Sequence, residues 1–268
     1  MKVVILCGGR GARLQEETEY RPKPMIEIGG RPIIWHIMKI YAHYGFNDFV
    51  ICLGYRGHMI KEYFYNYELM NSDFTVELGE NKSKSPEIHN PHQEQGWSIT
   101  LAETGLNTLK GARIKKAEKY INSDTFMVTY GDGLSDVNIS ELLAFHKEHG
   151  RIATVTGVRP LSRFGELETN DSQVTKFSEK SQSLSGWING GFFVFNRKLF
   201  DLLSTDDDCD LEYGPLEKLV EDGELMFYKH LGFWQCMDHA RDLQYLVDLW
   251  DEGKAAWTVW SNQYDHEC

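Results

Sequence analysis

The residues of this chain that could do chemistry are cations and carboxylates set among glycines. Gly8-Gly9-Arg10-Gly11-Ala12-Arg13 follows directly on the apolar run Val3-Val4-Ile5-Leu6. Glycines let a backbone approach a phosphate closely and turn its N–H groups toward it. Arg13 adds a delocalised cation whose fork suits phosphate oxygens. Further on, Arg21-Pro22-Lys23-Pro24 sets a lysine between two prolines. Proline fixes φ and restricts its predecessor, which predicts Lys23 on a stiff, extended segment. The loop is neither of the two common phosphate loops. Leu14 stands where the third glycine of G-x-G-x-x-G would be, and no Gly-Lys-Ser/Thr closes a Walker loop.

Two aspartates complete the set. Asp132 lies between glycines in Tyr130-Gly131-Asp132-Gly133, just past the apolar run 125–130, and Asp238 ends Trp234-Gln235-Cys236-Met237-Asp238. Ligands gather outside the carboxyl ends of strands in open α/β sheets, and Mg²⁺ accepts one or two carboxylates together with phosphate oxygens. Each aspartate also has an ordinary reading. Asp beside Gly makes turns, and Asp238 stands where an N-cap belongs, ahead of the periodic stretch 240–252. Thr108 and Arg113 are residue types that pair with base carbonyls, or else charges and hydroxyls solvated at a helix start. Lys180 follows a strand, where a lysine is ordinarily solvated. The ten histidines show no HxH or HExxH spacing, so a zinc site has no support.

These residues need a scaffold, and the hydrophobic pattern supplies one. A β run at 2–7, a helical period at 32–44, a β run at 48–54 and a helical stretch at 57–67 alternate as in a parallel sheet covered by helices. The polar stretch 72–103 reads as an excursion from the sheet, with short strands near 74–79 and 97–103. Strands follow at 125–130 and 152–158 with a helix at 139–149 between them, then a strand pair at 164–178 and an apolar run at 191–195. The last sixty residues read as mainly helical, at 197–203, 213–221 and 240–252, with a strand near 225–230. The fold class expected is therefore α/β: a Rossmann-like, mixed but mostly parallel sheet flanked by helices, with a mainly helical C-terminal part. We expect one domain over 1–268, in which 1–200 form the α/β core and 201–268 complete the site.

Bulk properties narrow the partners. With 40 acidic against 28 basic residues the formal charge is −12, the wrong sign for a nucleic-acid binder. No apolar run approaches the roughly 18 residues that cross a bilayer, and the N-terminal apolar run is too short for a signal peptide. The cysteines, at 7, 52, 209, 236 and 268, form no CxxC pair, which fits reduced thiols in a cytoplasm. An acidic protein that handles phosphate esters must build its positive field locally.

The run Gly8-Gly9-x-Gly11-x-Arg13, then Pro22-Lys23-Pro24-Met25 and Gly29-Gly30-Arg31-Pro32-Ile33, resembles the signature of sugar-1-phosphate nucleotidyltransferases. More narrowly, Pro24-Met25-Ile26-Glu27-Ile28-Gly29-Gly30 with Trp35-His36-Ile37-Met38 is similar to the glucose-1-phosphate cytidylyltransferase branch. The likeness runs on through Tyr130-Gly131-Asp132-Gly133, Ile188-Asn189-Gly190-Gly191-Phe192-Phe193 and Gly232-Phe233-Trp234-Gln235 to Gly253-Lys254-Ala255.

The resemblance implies the nucleotidyltransferase fold and transfer of a nucleotidyl group, most simply from CTP to glucose 1-phosphate. It implies Mg²⁺ between Asp132 and Asp238, Arg13 and Lys23 as catalytic cations, and a nucleotide site from Leu6, Gly8, Gly9, Gly11, Ala12, Arg13, Lys23, Thr108, Arg113 and Gly131. Lys180 would grip the sugar phosphate, Asn189 and Gly190 would shape the sugar pocket, and the chains of the family form closed homo-oligomers. Alternatives are dTTP or UTP as donor, another phosphate acceptor, or a homologue that binds nucleotide sugars without making them. Ala12, Lys110, Ala112, Ser181 and His239 depart from the family's Thr, Thr, Gly, Pro and Thr, so donor and acceptor choice stay open. Trp250, Trp257 and Trp260 suit either an interface or the protein's own core.

Overall fold

The computed structural model describes residues 1–78, 85–90, 92–160, 166–170, 172–178 and 186–261. A seven-stranded sheet forms its centre: β1 (Lys2–Cys7), β2 (Asp48–Leu53), β3 (Ser98–Glu103), β4 (Thr125–Tyr130), β5 (Ala153–Val158), β6 (Ile188–Asn196) and β7 (Leu225–Lys229). Their order across the sheet is β7-β5-β6-β4-β1-β2-β3. The β1–β2, β1–β4, β2–β3 and β5–β7 pairs are parallel, whereas β6 runs antiparallel to both its neighbours. The expected fold class is what is found.

Both faces of this sheet are buried, and the sequence shows why. Side chains alternate faces along a strand. Val3 and Ile5 of β1, with Phe192 and Val194 of β6, join one core with helix α1 (Ile33–His43). Val4, Phe193 and Phe195 point the other way and meet Ile114, Leu199 and Phe200. Apolar residues at 33, 34, 37, 38, 40 and 41 give α1 one buried stripe. Helices α2 (Gly57–Tyr65), α3 (Lys110–Ala117), α4 (Ile139–His149) and α5 (Ala240–Asp251) complete the layers. Helix α4 has a polar start and a glycine stop: Asn138 Oδ1 accepts from the Glu141 N–H at 3.1 Å, and Gly150 ends it at φ +65°.

Three expectations need correction. The segment near 97–103 is no excursion, because β3 pairs in parallel with β2 along its whole length and ends the sheet. Among the described residues of 72–103, only 73–75 and 87–90 pair apart from it. The helix expected at 213–221 begins later, at Glu217–Glu221, since Gly214 (φ +100°) and Pro215 kink the chain ahead of it. Lys23 does not sit on extended chain either: it opens the short 3₁₀ turn Lys23–Met25, and Pro22 before it supplies the extended residue. Trp257 is fully buried in the chain's own core, its indole N–H 3.3 Å from His36 Nδ1. Among the described residues no helix is long and apolar enough to cross a membrane.

Candidate active site

Asp132 and Asp238 are far apart in sequence and adjacent in space, and a small ribbon joins them. Gly133–Ser135 pairs antiparallel with Trp234–Cys236, Cys236 facing Gly133. The Met237 N–H continues the ladder to the Asp132 carbonyl at 2.9 Å. One carboxylate therefore leaves the end of β4 and the other leaves the ribbon's return strand, side by side at the carboxyl edge of the sheet.

Lys23 fills the space between them. Its Nζ lies 3.0 Å from Asp132 Oδ2 and 2.7 Å from Asp238 Oδ1, and Arg13 Nη1 lies 2.8 Å from Asp238 Oδ2. Two cations and two carboxylates thus share one cluster. Burial alone would pull the Lys23 ammonium down, but the Asp132 charge and the hydrogen bonds to both aspartates more than offset it and hold it above its ordinary value. For Asp238 burial pushes upward, and Lys23 with Arg13 reverses this, leaving the carboxyl below its ordinary value. Asp238 is not the helix cap that its position suggested. His239 is the N-cap of α5, and the buried carboxylate of Asp242 accepts the N–H groups of Asp238 (3.1 Å) and His239 (2.8 Å).

Oxygen donors of this kind suit a hard divalent ion. Among the described residues no group of three or more His, Cys, Asp or Glu converges. A caged transition metal therefore lacks ligands there, whereas Mg²⁺, which needs few protein ligands beside phosphate oxygens, fits two carboxylates. That an ammonium already rests between them shows that the spot holds a cation.

Beside the cluster opens a pocket of about 330 Å³ lined by Leu6, Gly8, Gly9, Gly11, Lys23, Thr108, Arg113, Gly131 and Asp132. Most of the residues read from the sequence as nucleotide-binding meet on this one wall. Cys7 also lines it, but burial pushes its thiol well above the ordinary value, so it stays protonated and is no nucleophile. Gly9 faces open space, and a Cβ there would touch nothing within 4 Å. Gly8 is the opposite: a Cβ would lie 2.0 Å from the Arg113 guanidinium carbon.

Arg113 explains that crowding. It is 4% exposed, and its guanidinium donates to the carbonyls of Leu53 (2.9 Å), Gly105 (2.8 Å) and Gly8 (3.1 Å) and to Thr104 Oγ1 (2.7 Å). Its fork ties the glycine loop to β2 and to the turn before α3. A signal for this was available: Arg113 shares the apolar side of α3 with Ala117, one turn on.

Further along the edge, Asn189 donates to the Tyr130 hydroxyl at 3.1 Å and accepts the Gly191 N–H at 2.8 Å. Tyr130 in turn donates to Glu212, whose carboxylate also holds Lys110 Nζ at 2.6 Å. Glu212 was not singled out in the sequence; its kinked Gly-Pro surroundings hide it. Gly190 presents its carbonyl to the Trp234 indole N–H at 2.7 Å, and a Cβ on it would come within 2.7 Å of Val158. Lys180 lies outside the described residues. Ala12 and Arg13 sit in the 3₁₀ turn 12–14.

Known proteins resemble this chain in sequence and in fold. The sequence profile of the nucleotidyl transferase family matches residues 2–243. The chain is 48% identical over 261 residues to the glucose-1-phosphate cytidylyltransferase of Salmonella typhimurium, covering 97% of this chain and 100% of that protein. It is 28% identical to a mannose-1-phosphate guanyltransferase of Neurospora crassa, over 90% of this chain and 62% of the other. Among solved structures, HddC of Yersinia pseudotuberculosis complexed with GMP-PN superposes with a TM-score of 0.66 at 21% identity, covering 93% of this chain and 99% of that one. The inositol-1-phosphate CTP transferase of T. maritima gives 0.61 at 17% identity, with 94% and 96% covered. These two likenesses concern the fold.

Proposed function

This chain belongs to the nucleotidyl transferase family, and on that premise we propose that it transfers a cytidylyl group from CTP to glucose 1-phosphate, giving CDP-glucose and pyrophosphate. The observation that carries the reading is the Lys23–Asp132–Asp238 cluster, with Arg13 on its rim, at the wall of a pocket edged by the glycine loop. The near full-length likeness to a cytidylyltransferase supports the choice of donor and acceptor.

An oxygen of the sugar phosphate attacks the α-phosphorus and forms the new P–O bond. The bond from the α-phosphorus to the bridging oxygen breaks, and pyrophosphate leaves with the electron pair. No protein nucleophile is required, because the attacking phosphate is already ionised near neutral pH. Catalysis rests on alignment and neutralisation of charge. The open space over Gly9 admits the phosphates against backbone N–H groups, Lys23 offsets charge at the α-phosphoryl group, and Arg13 steadies the departing pyrophosphate. Lys180 is assigned to hold the attacking phosphate, and Asn189 with Gly190 to border the sugar. Asp132 and Asp238 would hold Mg²⁺, which when bound neutralises phosphate charge. A cytoplasmic location and a homo-oligomer are part of the reading.

Pyrophosphate release on mixing the protein with CTP, glucose 1-phosphate and Mg²⁺ is the test. The same assay run over CTP, UTP, dTTP, ATP and GTP against several sugar phosphates decides donor and acceptor together. No release with any pair would leave a binding protein and overturn the reading.

A further inference from the structure

The pocket has two chemically different ends. Lys23 and Asp132 mark one, and Thr108, Leu109 and Arg113 mark the other. Phosphates belong at the first, which leaves the second for the base. At that second end the basic side chains already have partners of their own. Arg113 gives its N–H groups to backbone carbonyls and Thr104, and Lys110 Nζ rests on Glu212.

Thr108 differs in having acceptor lone pairs, and its hydroxyl is held in one sense. Thr108 is 4% exposed and its Oγ1 donates to Asp207 Oδ1 at 2.6 Å. The hydrogen bonds from Lys116 and Thr108 hold the Asp207 carboxyl below its ordinary value, so near neutral pH it can only accept. A hydroxyl has one hydrogen and two lone pairs. The hydrogen goes to Asp207, and Lys116 Nζ, 3.3 Å from Oγ1, takes one lone pair. What remains for the pocket is an acceptor.

We propose that Asp207 sets the base preference of this pocket by locking the Thr108 hydroxyl as an acceptor, so that a pyrimidine bearing a 4-amino group is selected over one bearing a 4-carbonyl. Cytosine offers N–H hydrogens at that edge, whereas uracil and thymine present a lone pair to a lone pair. The inference rests on the nucleotide reading of the pocket given above. Asp207 itself is a positioning residue. Its loop is docked independently of its side chain, since the Leu109 N–H donates to the Asp207 carbonyl at 2.8 Å and the Ala112 N–H to the Cys209 carbonyl at 3.0 Å. The substitution Asp207→Ala therefore keeps the loop in place and frees the Thr108 hydroxyl together with the Lys116 ammonium.

The experiment compares kcat/KM for CTP and UTP, at saturating glucose 1-phosphate and Mg²⁺, in the unaltered protein, Asp207→Ala, Thr108→Val and Thr108→Ser. Equilibrium binding of CTP and UTP without sugar phosphate gives the same ratio whether or not turnover occurs. The unaltered protein should favour CTP. Asp207→Ala and Thr108→Val should each cut the CTP-to-UTP ratio about tenfold, the size expected of one lost hydrogen bond and one removed mismatch. The loss should read in KM, Thr108→Ser should restore the ratio, and the double variant should be no worse than Thr108→Val. Ratios unchanged within twofold in both single variants, or a preference for UTP in the unaltered protein, would overturn the inference. Absence of turnover with either nucleotide would sink the transferase reading alone, and the binding ratio would still decide this one.

Discussion

Replacing Lys23 by methionine tests the site most directly, since Met keeps the length and apolar stem and deletes only the charge. The ammonium makes contacts of 3.0 and 2.7 Å with Asp132 and Asp238. At an effective dielectric of about 20, each such contact carries roughly 6 kcal/mol of direct attraction. Desolvation of a side chain that is 11% exposed offsets much of it, so the net loss of stability should be about 1–3 kcal/mol. In the transition state a missing cation costs on the order of 3 kcal/mol, which is ~100-fold in rate. We therefore expect Lys23→Met to lower kcat by a hundredfold or more, while circular dichroism shows the fold intact and the urea midpoint falls modestly. Because two carboxylates then share only Arg13, on the Asp238 side, as counter-charge, added Mg²⁺ should raise that midpoint more in the variant than in the unaltered protein. Near-normal turnover would remove Lys23 from the mechanism. An unchanged midpoint with no response to Mg²⁺ would refute the shared cluster itself.

Further expectations follow from the same contacts. Gly8→Ala should disrupt the loop and raise the nucleotide KM at least tenfold with a lower Tm, because its Cβ would lie 2.0 Å from the Arg113 guanidinium. Gly9→Ala should melt like the unaltered protein yet bind nucleotide poorly, since that Cβ meets only open space; nucleotide affinity in Gly9→Ala equal to that of the unaltered protein would contradict the phosphate role of the loop. Asp242→Ala should cost about 1–2 kcal/mol in a urea melt and lower kcat roughly tenfold, by releasing the backbone of Asp238 and His239. Burial lowers both His36 and His146 to about 4. The unfolded chain takes up those protons below about pH 6.5 and the folded one does not, so stability is lost as pH falls from 6.5 toward 4. That amounts to about 2 kcal/mol per histidine at pH 5, and urea midpoints flat between pH 7 and 5 would exclude it. Lys23 stays charged and Asp238 ionised across that range. An acid limb in kcat/KM near pH 6 should therefore belong to the sugar phosphate and move when a phosphonate acceptor replaces it.

The sheet was readable because its strands are apolar on both faces and its helices carry 3.6-residue stripes. Runs such as Val3-Val4-Ile5 and Phe192-Phe193-Val194-Phe195 are short and rich in β-branched and aromatic residues, which favours buried strands over helices. The edge strand β3 was harder. Its residues are mostly half-exposed, so periodicity hinted at a strand without saying where it pairs. The ribbon 133–135/234–236 left no trace, because three-residue strands are shorter than any periodic window and one of them starts on a glycine. Without it, nothing in the sequence says that Asp132 and Asp238 touch. The resemblance supplied that link, and the pairing of Cys236 with Gly133 gives it a physical cause. Arg113 shows the reverse case. Residue type suggested a base partner, but only the fold reveals that backbone carbonyls consume its donors.

A chain with formal charge −12 that binds triphosphate must keep its cations from being neutralised by the surrounding carboxylates while keeping the phosphates from being repelled. The observed arrangement meets both demands at one place. Asp132 and Asp238 hold Lys23 at fixed distance with its stem buried, so its charge is positioned before substrate arrives and costs no ordering afterwards. Arg13, 67% exposed, remains able to leave Asp238 for a phosphate, which a buried arginine could not do. Arg113 has the opposite assignment, buried and fully committed, so that the loop it braces keeps its shape whether or not its phosphate is bound. Three basic residues close to one another thus divide the work by burial: one braces, one is fixed, and one is free to move.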